Sequence, residues 1–153
     1  MASSPTAVDG VPVLPTAELH LDDLKGGADW LPLEPVAAFV DRDYGPWNGR
    51  PKAEVERRYG SLDNAPGVEA RPALERRVLA GLQAAADQHA GQTFAIVAHD
   101  AVNRVLLARV DGRLGDPELV PQRTGCWNRL RQAGGRWRVL VIDAVPGDGH
   151  HPD

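Results

Sequence analysis

A single cysteine, Cys126, is the whole thiol inventory of the chain, which excludes an internal disulfide and a cysteine-rich metal centre. It fits a reducing compartment and reads as a small core residue. Lysine and arginine never run longer than two in succession, and 21 acidic against 17 basic side chains leave a net charge of -4. No electrostatic footprint for nucleic acid or an anionic membrane surface follows from that balance. Long apolar runs are missing too: nothing approaches the roughly 18 residues that span a bilayer. No basic segment followed by an apolar core opens the chain. These absences describe a soluble, cytoplasmic protein with neither nucleic acid nor membrane as partner. What the chain does have is 153 residues, 42% hydrophobic and 25% charged, enough for one globular domain with a sizeable core.

Order along the chain is uneven. Prolines at 5, 12, 15, 32 and 35 with Gly26-Gly27 make 1–35 an irregular arm, in which 11–14 and 17–21 are the candidate extended pieces. Pro51 suits a first helical position, and a short helix runs from there until Gly60 stops it. Pro72 opens a longer helix to about Ala90, with Leu74, Val78, Leu82, Ala85 and His89 near helical spacing. The run Thr93-Phe94-Ala95-Ile96-Val97-Ala98 lacks alternation and reads as a strand covered on both faces, followed by a helix through Val102, Val105, Leu106 and Val110. Residues 126–130 and 137–142 flank Ala133-Gly134-Gly135 and predict an antiparallel hairpin, with Trp127 and Trp137 as cross-strand neighbours. A loose tail fills 146–153. Helices and strands in this order predict an α/β sandwich with helices on both faces of the sheet.

His99 is the residue on which a functional reading turns. It stands where the apolar run 93–98 meets the following helix, and strand ends of open α/β sheets face ligand crevices. The first turn of that helix offers unpaired N–H groups and a positive dipole end, so an anion such as a phosphate is the natural guest. The competing reading is an ordinary polar residue closing a strand. Asp100, next along, either caps the helix or repels a phosphate, according to its side-chain direction. Glu69 taken alone is a solvated carboxylate near a helix start. Tyr44 and Trp47 read as packing anchors for a glycine-rich loop rather than as a substrate mouth. His89 is a helix-surface or boundary histidine. His150, His151 and Asp153 lie in the tail without a complementary cluster, so no metal site is expected there.

Four stretches in order carry a resemblance. They are Asp41-Arg42-Asp43-Tyr44-Gly45-Pro46-Trp47-Asn48-Gly49; Pro66-Gly67-Val68-Glu69 with Arg77 eight residues later; Ala98-His99-Asp100-Ala101-Val102-Asn103-Arg104; and Gly125-Cys126-Trp127-Asn128 with Gly135-Arg136-Trp137-Arg138-Val139 behind it. From Asp41 to Asp143 the chain resembles the phosphoglycerate mutase-like branch of the histidine phosphatase superfamily. The resemblance implies a three-layer α/β sandwich with a mostly parallel sheet, here N-terminally incomplete, as a domain over 36–145. It implies no metal and no cofactor. It also implies that His99 is the second, phosphate-pocket histidine, that Glu69 is the proton donor to the leaving oxygen, and that Arg104 is a weaker phosphate ligand.

The family's Arg-His-Gly triplet, which carries the nucleophilic histidine, is absent from this sequence. Leu19-His20-Leu21 lacks both of its flanking residues. A glycine there lets backbone approach phosphate closely, and an arginine supplies charge-assisted hydrogen bonds. The expected function is therefore a phosphomonoesterase-type protein, acting on or binding a phosphorylated small molecule, with impaired catalysis. The alternatives are a non-catalytic binding protein and a truncated product of a longer phosphatase. The place of the missing first strand is expected to be filled by part of 11–21 or by a second copy through an exposed sheet edge. Mutase, sugar phosphatase and broad phosphatase stay open as substrate classes.

Overall fold

Prolines and glycines punctuate the chain as expected. A computed structural model describes residues 34–145; the candidate extended pieces at 11–14 and 17–21 and the tail at 146–153 lie outside the described residues. Two compact units divide them, Val36–Val120 and another to which the chain from Pro121 onward belongs.

In the first unit, α1 spans Lys52–Tyr59, with Pro51 as its N-cap rather than its first turn. Gly60 ends it at φ 80°, a left-handed conformation that suits glycine. α2 spans Arg71–Gln88 with Pro72 in its first turn, and buries Leu74, Val78, Gly81, Leu82 and Ala86 along one face. The buried alanine is thus Ala86 and not Ala85. His89 closes the helix half-buried, its ring 5.5 Å from that of Phe94. α3 spans Asp100–Val110 and buries Val102, Val105, Leu106, Leu107 and Ala108. α2 packs against α3 and against a single 3-10 turn at Ala37–Phe39. Burying a Leu or Val side chain contributes about 1.5–3 kcal/mol, so this two-helix seam holds the unit together.

The contact with the 3-10 turn is close. A Cβ built on Gly81 would lie 2.5 Å from Ala38 Cβ and 3.2 Å from Phe39 Cζ. Gly81→Ala is therefore expected to destabilise by about 1–3 kcal/mol through overpacking, although alanine is the better helix former. A lower urea midpoint for the variant is the result to look for; a higher one would mean that the turn shifts freely away.

The expected strand at 93–98 needs correction: it has no ladder partner among the described residues. Its residues alternate between half-buried and exposed, and Val97 is 74% exposed. Apolar composition alone cannot make a strand, because backbone N–H and C=O groups need a neighbouring chain to pair with.

In the second unit, β1 (Trp127–Ala133) and β2 (Arg136–Ala144) form the expected antiparallel hairpin. Gly134 and Gly135 turn it with φ of 56° and 72°, the positive pair that a tight two-residue turn requires. The register does not bring the tryptophans together: Trp127 faces Ala144 and Trp137 faces Gln132, at opposite ends of the ladder. Irregular pairing on either side of Arg129 shifts the strands. Cys126 is half-buried rather than a core residue, its thiol donating to Gln122 Oε1 at 3.5 Å. Helices with a strand pair give the described chain a mixed α and β composition.

Candidate functional site

The site is built within Val36–Val120 from a loop and the starts of two helices. His99 is the N-cap residue of α3, with extended backbone (φ -108°, ψ 163°), and its carbonyl accepts the Asn103 N–H at 2.9 Å. Its side chain makes no capping bond and is 58% exposed. The N–H groups of Asp100, Ala101 and Val102 precede the first intrahelical donor, so they point out of the helix end beside the ring.

Asp100 does not cap the helix. Its Oδ1 accepts from Arg104 Nε at 2.7 Å, four residues on, which draws the carboxylate along the helix and pairs its charge. Arg104 also donates through Nη1 to the main-chain oxygens of Glu118 and Val120. The expected phosphate ligand is thus committed to its own helix and to the chain end of the unit.

The group facing His99 is one to which the sequence assigned no role. Asp41 Oδ2 lies 3.8 Å from His99 Nδ1, an ion-pair distance when the ring is protonated. Asp41 Oδ1 accepts the N–H of Arg42 at 2.7 Å, which fixes the carboxylate's orientation. Tyr44 stands close by. Burial, then the charge of Asp41, push its hydroxyl above the ordinary tyrosine value, and Asp100 and Glu118 add to this. The Tyr44 ring lies 6.0 Å from the Arg42 guanidinium, and Trp47 is the packing anchor expected, edge-on to Tyr59 with centroids 5.2 Å apart and donating to the Pro66 carbonyl.

Glu69 is close to this group but differently engaged. Both of its oxygens accept from Arg77, Oε1 from Nε at 2.7 Å and Oε2 from Nη2 at 2.9 Å, and Oε2 also accepts the Asp43 N–H at 3.3 Å. The Arg77 hydrogen bonds hold its carboxyl below the usual glutamate range, with the Asp43 N–H reinforcing them. A leaving-group acid has to carry a proton, so this environment opposes the expected donor role. Arg42, 6% exposed, donates twice to the Glu69 carbonyl and once to Asp63 at 2.6 Å. Asp63 also meets Arg71 at 2.7 Å, which ties the loop to the start of α2. Of the expected residues, His99 and Glu69 are thus brought into one network through Asp41 and Arg77, while Arg104 stands on the far side of Asp100 from His99 in the chain of contacts.

The depressed Glu69 carboxyl links stability to pH. Its folded value lies below the ordinary 4.5, so the stabilisation is complete above that and disappears as pH falls through the folded value. The urea midpoint of the protein is expected to drop more steeply between about pH 5 and about pH 3 than that of Glu69→Gln. At neutral pH the variant should be less stable by about 1–3 kcal/mol, because Arg77 loses a charged partner in a largely buried place. Parallel pH profiles for the two proteins would contradict the pairing.

Among the described residues no group of three or more His, Cys, Asp or Glu side chains is arranged to hold a metal ion, and no helix is long and apolar enough to cross a membrane. Comparison with known proteins matches residues 14–144 to the family model described as histidine phosphatase superfamily (branch 1). The chain is 34% identical over 112 residues to Uncharacterized phosphatase PhoE of Bacillus subtilis (strain 168), an alignment covering 71% of this chain and 56% of that protein. The chain spans about half the length of this curated relative. The family match begins well before Asp41, where the motifs read from the sequence start. The chain belongs to the histidine phosphatase superfamily.

Proposed function

We propose that this protein holds a phosphate monoester at His99 and the first turn of α3, and that Asp41 is the proton donor to its leaving oxygen. The observation that carries the reading is the pairing of Asp41 Oδ2 with the exposed His99 ring at 3.8 Å, beside unpaired helix N–H groups. The imidazole, through a ring N–H, and three helix N–H groups donate to phosphoryl oxygens. The carboxyl group faces the same ring, where water adds to phosphorus as the ester oxygen departs and takes up the carboxyl proton. Asp100 is no obstacle, since its charge is paired with Arg104. Glu69 is the competing donor; its two oxygens already serve Arg77.

The reading keeps catalysis slow, because this sequence has no Arg-His-Gly to supply a phosphorylated nucleophile. A phosphorylated small molecule is the partner, and a cytoplasmic setting fits the single cysteine. Family membership supports extending the mixed α and β composition to a three-layer sandwich, although 93–98 is unpaired among the described residues. Pairing of that exposed stretch with a second copy of the chain is the route to self-association.

The test is hydrolysis of p-nitrophenyl phosphate together with binding of inorganic phosphate, in the protein and in His99→Ala. Turnover lost in the variant supports a slow phosphatase. Phosphate binding without turnover, also lost in the variant, supports a non-catalytic binding protein. Activity and binding that both survive His99→Ala overturn the assignment.

A further inference from the structure

We infer that Arg77 is a positioning residue: through the main chain it holds the Asp41 carboxylate against the His99 ring. The inference rests on the assignment of Asp41 made above.

The chain at 38–43, from the 3-10 turn at Ala37–Phe39 into the loop that follows, has no strand partner. Arg77 supplies donors to this stretch. Nη1 donates to the oxygens of Ala38 and Val40, both at 2.8 Å, and Nη2 to that of Asp41 at 2.9 Å. Nε and the second Nη2 hydrogen go to the Glu69 carboxylate at 2.7 and 2.9 Å. Those contacts use every one of the N–H donors that a guanidinium possesses. Arg77 rises from the second turn of α2, next to the fully buried Val78 and three residues from Leu74, so the fork stands on a fixed base.

The loop is closed from the other side by Glu69 itself. Its N–H donates to the Asp43 carbonyl at 2.7 Å, its Oε2 accepts the Asp43 N–H at 3.3 Å, and its carbonyl accepts twice from buried Arg42. Asp41 is therefore bracketed. Residues 38, 40 and 41 are tied to Arg77, and residues 42 and 43 are tied to Glu69, whose carboxylate Arg77 also grips. With its Oδ1 on the Arg42 N–H, Asp41 brings its Oδ2 to 3.8 Å from His99 Nδ1. A planar, rigid fork suits this task, because a lysine ammonium is a compact point charge that cannot serve three carbonyls and a carboxylate together.

A loop staple and a positioning residue differ in what they do to leaving-group dependence. The ratio of rates on two esters does not depend on how much of the protein is folded, so it remains readable in a destabilised variant. The full chain, Asp41→Asn, Arg77→Lys, Arg77→Gln and the double variant Asp41→Asn/Arg77→Lys are assayed on an alkyl phosphate and on p-nitrophenyl phosphate. Arg77→Lys and Arg77→Gln are expected to lower the alkyl ester rate about tenfold more than the p-nitrophenyl rate. The double variant should show the same ratio as Asp41→Asn alone. An equal loss on both esters, or a further change of ratio in the double variant, overturns the inference.

A second reading needs no turnover. In NMR spectra at constant pH the His99 ring signals should move in Asp41→Asn and move the same way in Arg77→Lys. Ring signals that stay at their original positions in Arg77→Lys overturn the inference. Ring signals that respond, in a protein without measurable hydrolysis, count against catalysis alone and leave the positioning role standing.

Discussion

Replacing Asp41 by asparagine is expected to slow hydrolysis of an alkyl phosphate about 100-fold, the usual contribution of a general acid, and that of p-nitrophenyl phosphate about tenfold or less. The difference comes from the leaving group. An alkoxide is a strong base and needs a proton as the P–O bond breaks, whereas p-nitrophenolate departs as a stable anion. Asparagine keeps the size of the side chain and one oxygen to accept the Arg42 N–H, so the loop geometry is retained while the proton is lost. Glu69→Gln is the control. If Glu69 only holds Arg77, its removal lowers stability and leaves the ratio of the two esters closer to that of the parent than Asp41→Asn does. A collapse of alkyl ester turnover confined to Glu69→Gln would move the donor role back to Glu69.

His99→Ala should lower kcat/KM on both esters alike, by about 100- to 1000-fold, as loss of a donor to developing phosphoryl charge does. This variant removes a contact that every phosphate monoester makes, so no leaving-group dependence is expected. Stability should hardly change. The ring is more than half exposed and makes no capping bond, and the helix keeps its first intrahelical bond, from the Asn103 N–H to the residue 99 carbonyl. A large loss of stability with little loss of kcat/KM would mark His99 as an ordinary boundary residue.

What the sequence made legible follows from how local each signal is. The helix limits at Pro51, Gly60 and Pro72 and the glycine pair at Gly134-Gly135 act on their own backbone, and the structure places elements there. The turn fixes a hairpin, yet irregular pairing beside Arg129 sets its register, and that separates Trp127 from Trp137. The 93–98 run had the composition of a covered strand, but pairing is a property of two segments and composition belongs to one. His99 stands at the start of α3 as the sequence indicated, because the junction of an apolar run with a helical pattern is a local signal.

Asp41 and Arg77 were harder to find. They meet through a main-chain oxygen 36 positions away, and the five bonds of Arg77 reach two separate stretches of chain, 38–41 and Glu69. Arg77 follows Glu69 by eight residues, a spacing that sets the second turn of α2 against the loop that precedes the helix. Arg104 shows the reverse case. Asp100 lies four residues before it, the spacing of a helical ion pair, and that local signal described its engagement better than the resemblance did.

The central claim is that His99 and the opening turn of α3 form an oxyanion site, and it can be read without any catalysis. The amide signals of Asp100, Ala101 and Val102 are followed by NMR as inorganic phosphate is added to the full chain. Saturable shifts at these amides and at the His99 ring, abolished in His99→Ala, are the expected result. Amides that ignore phosphate, or that respond equally in His99→Ala, would contradict the account.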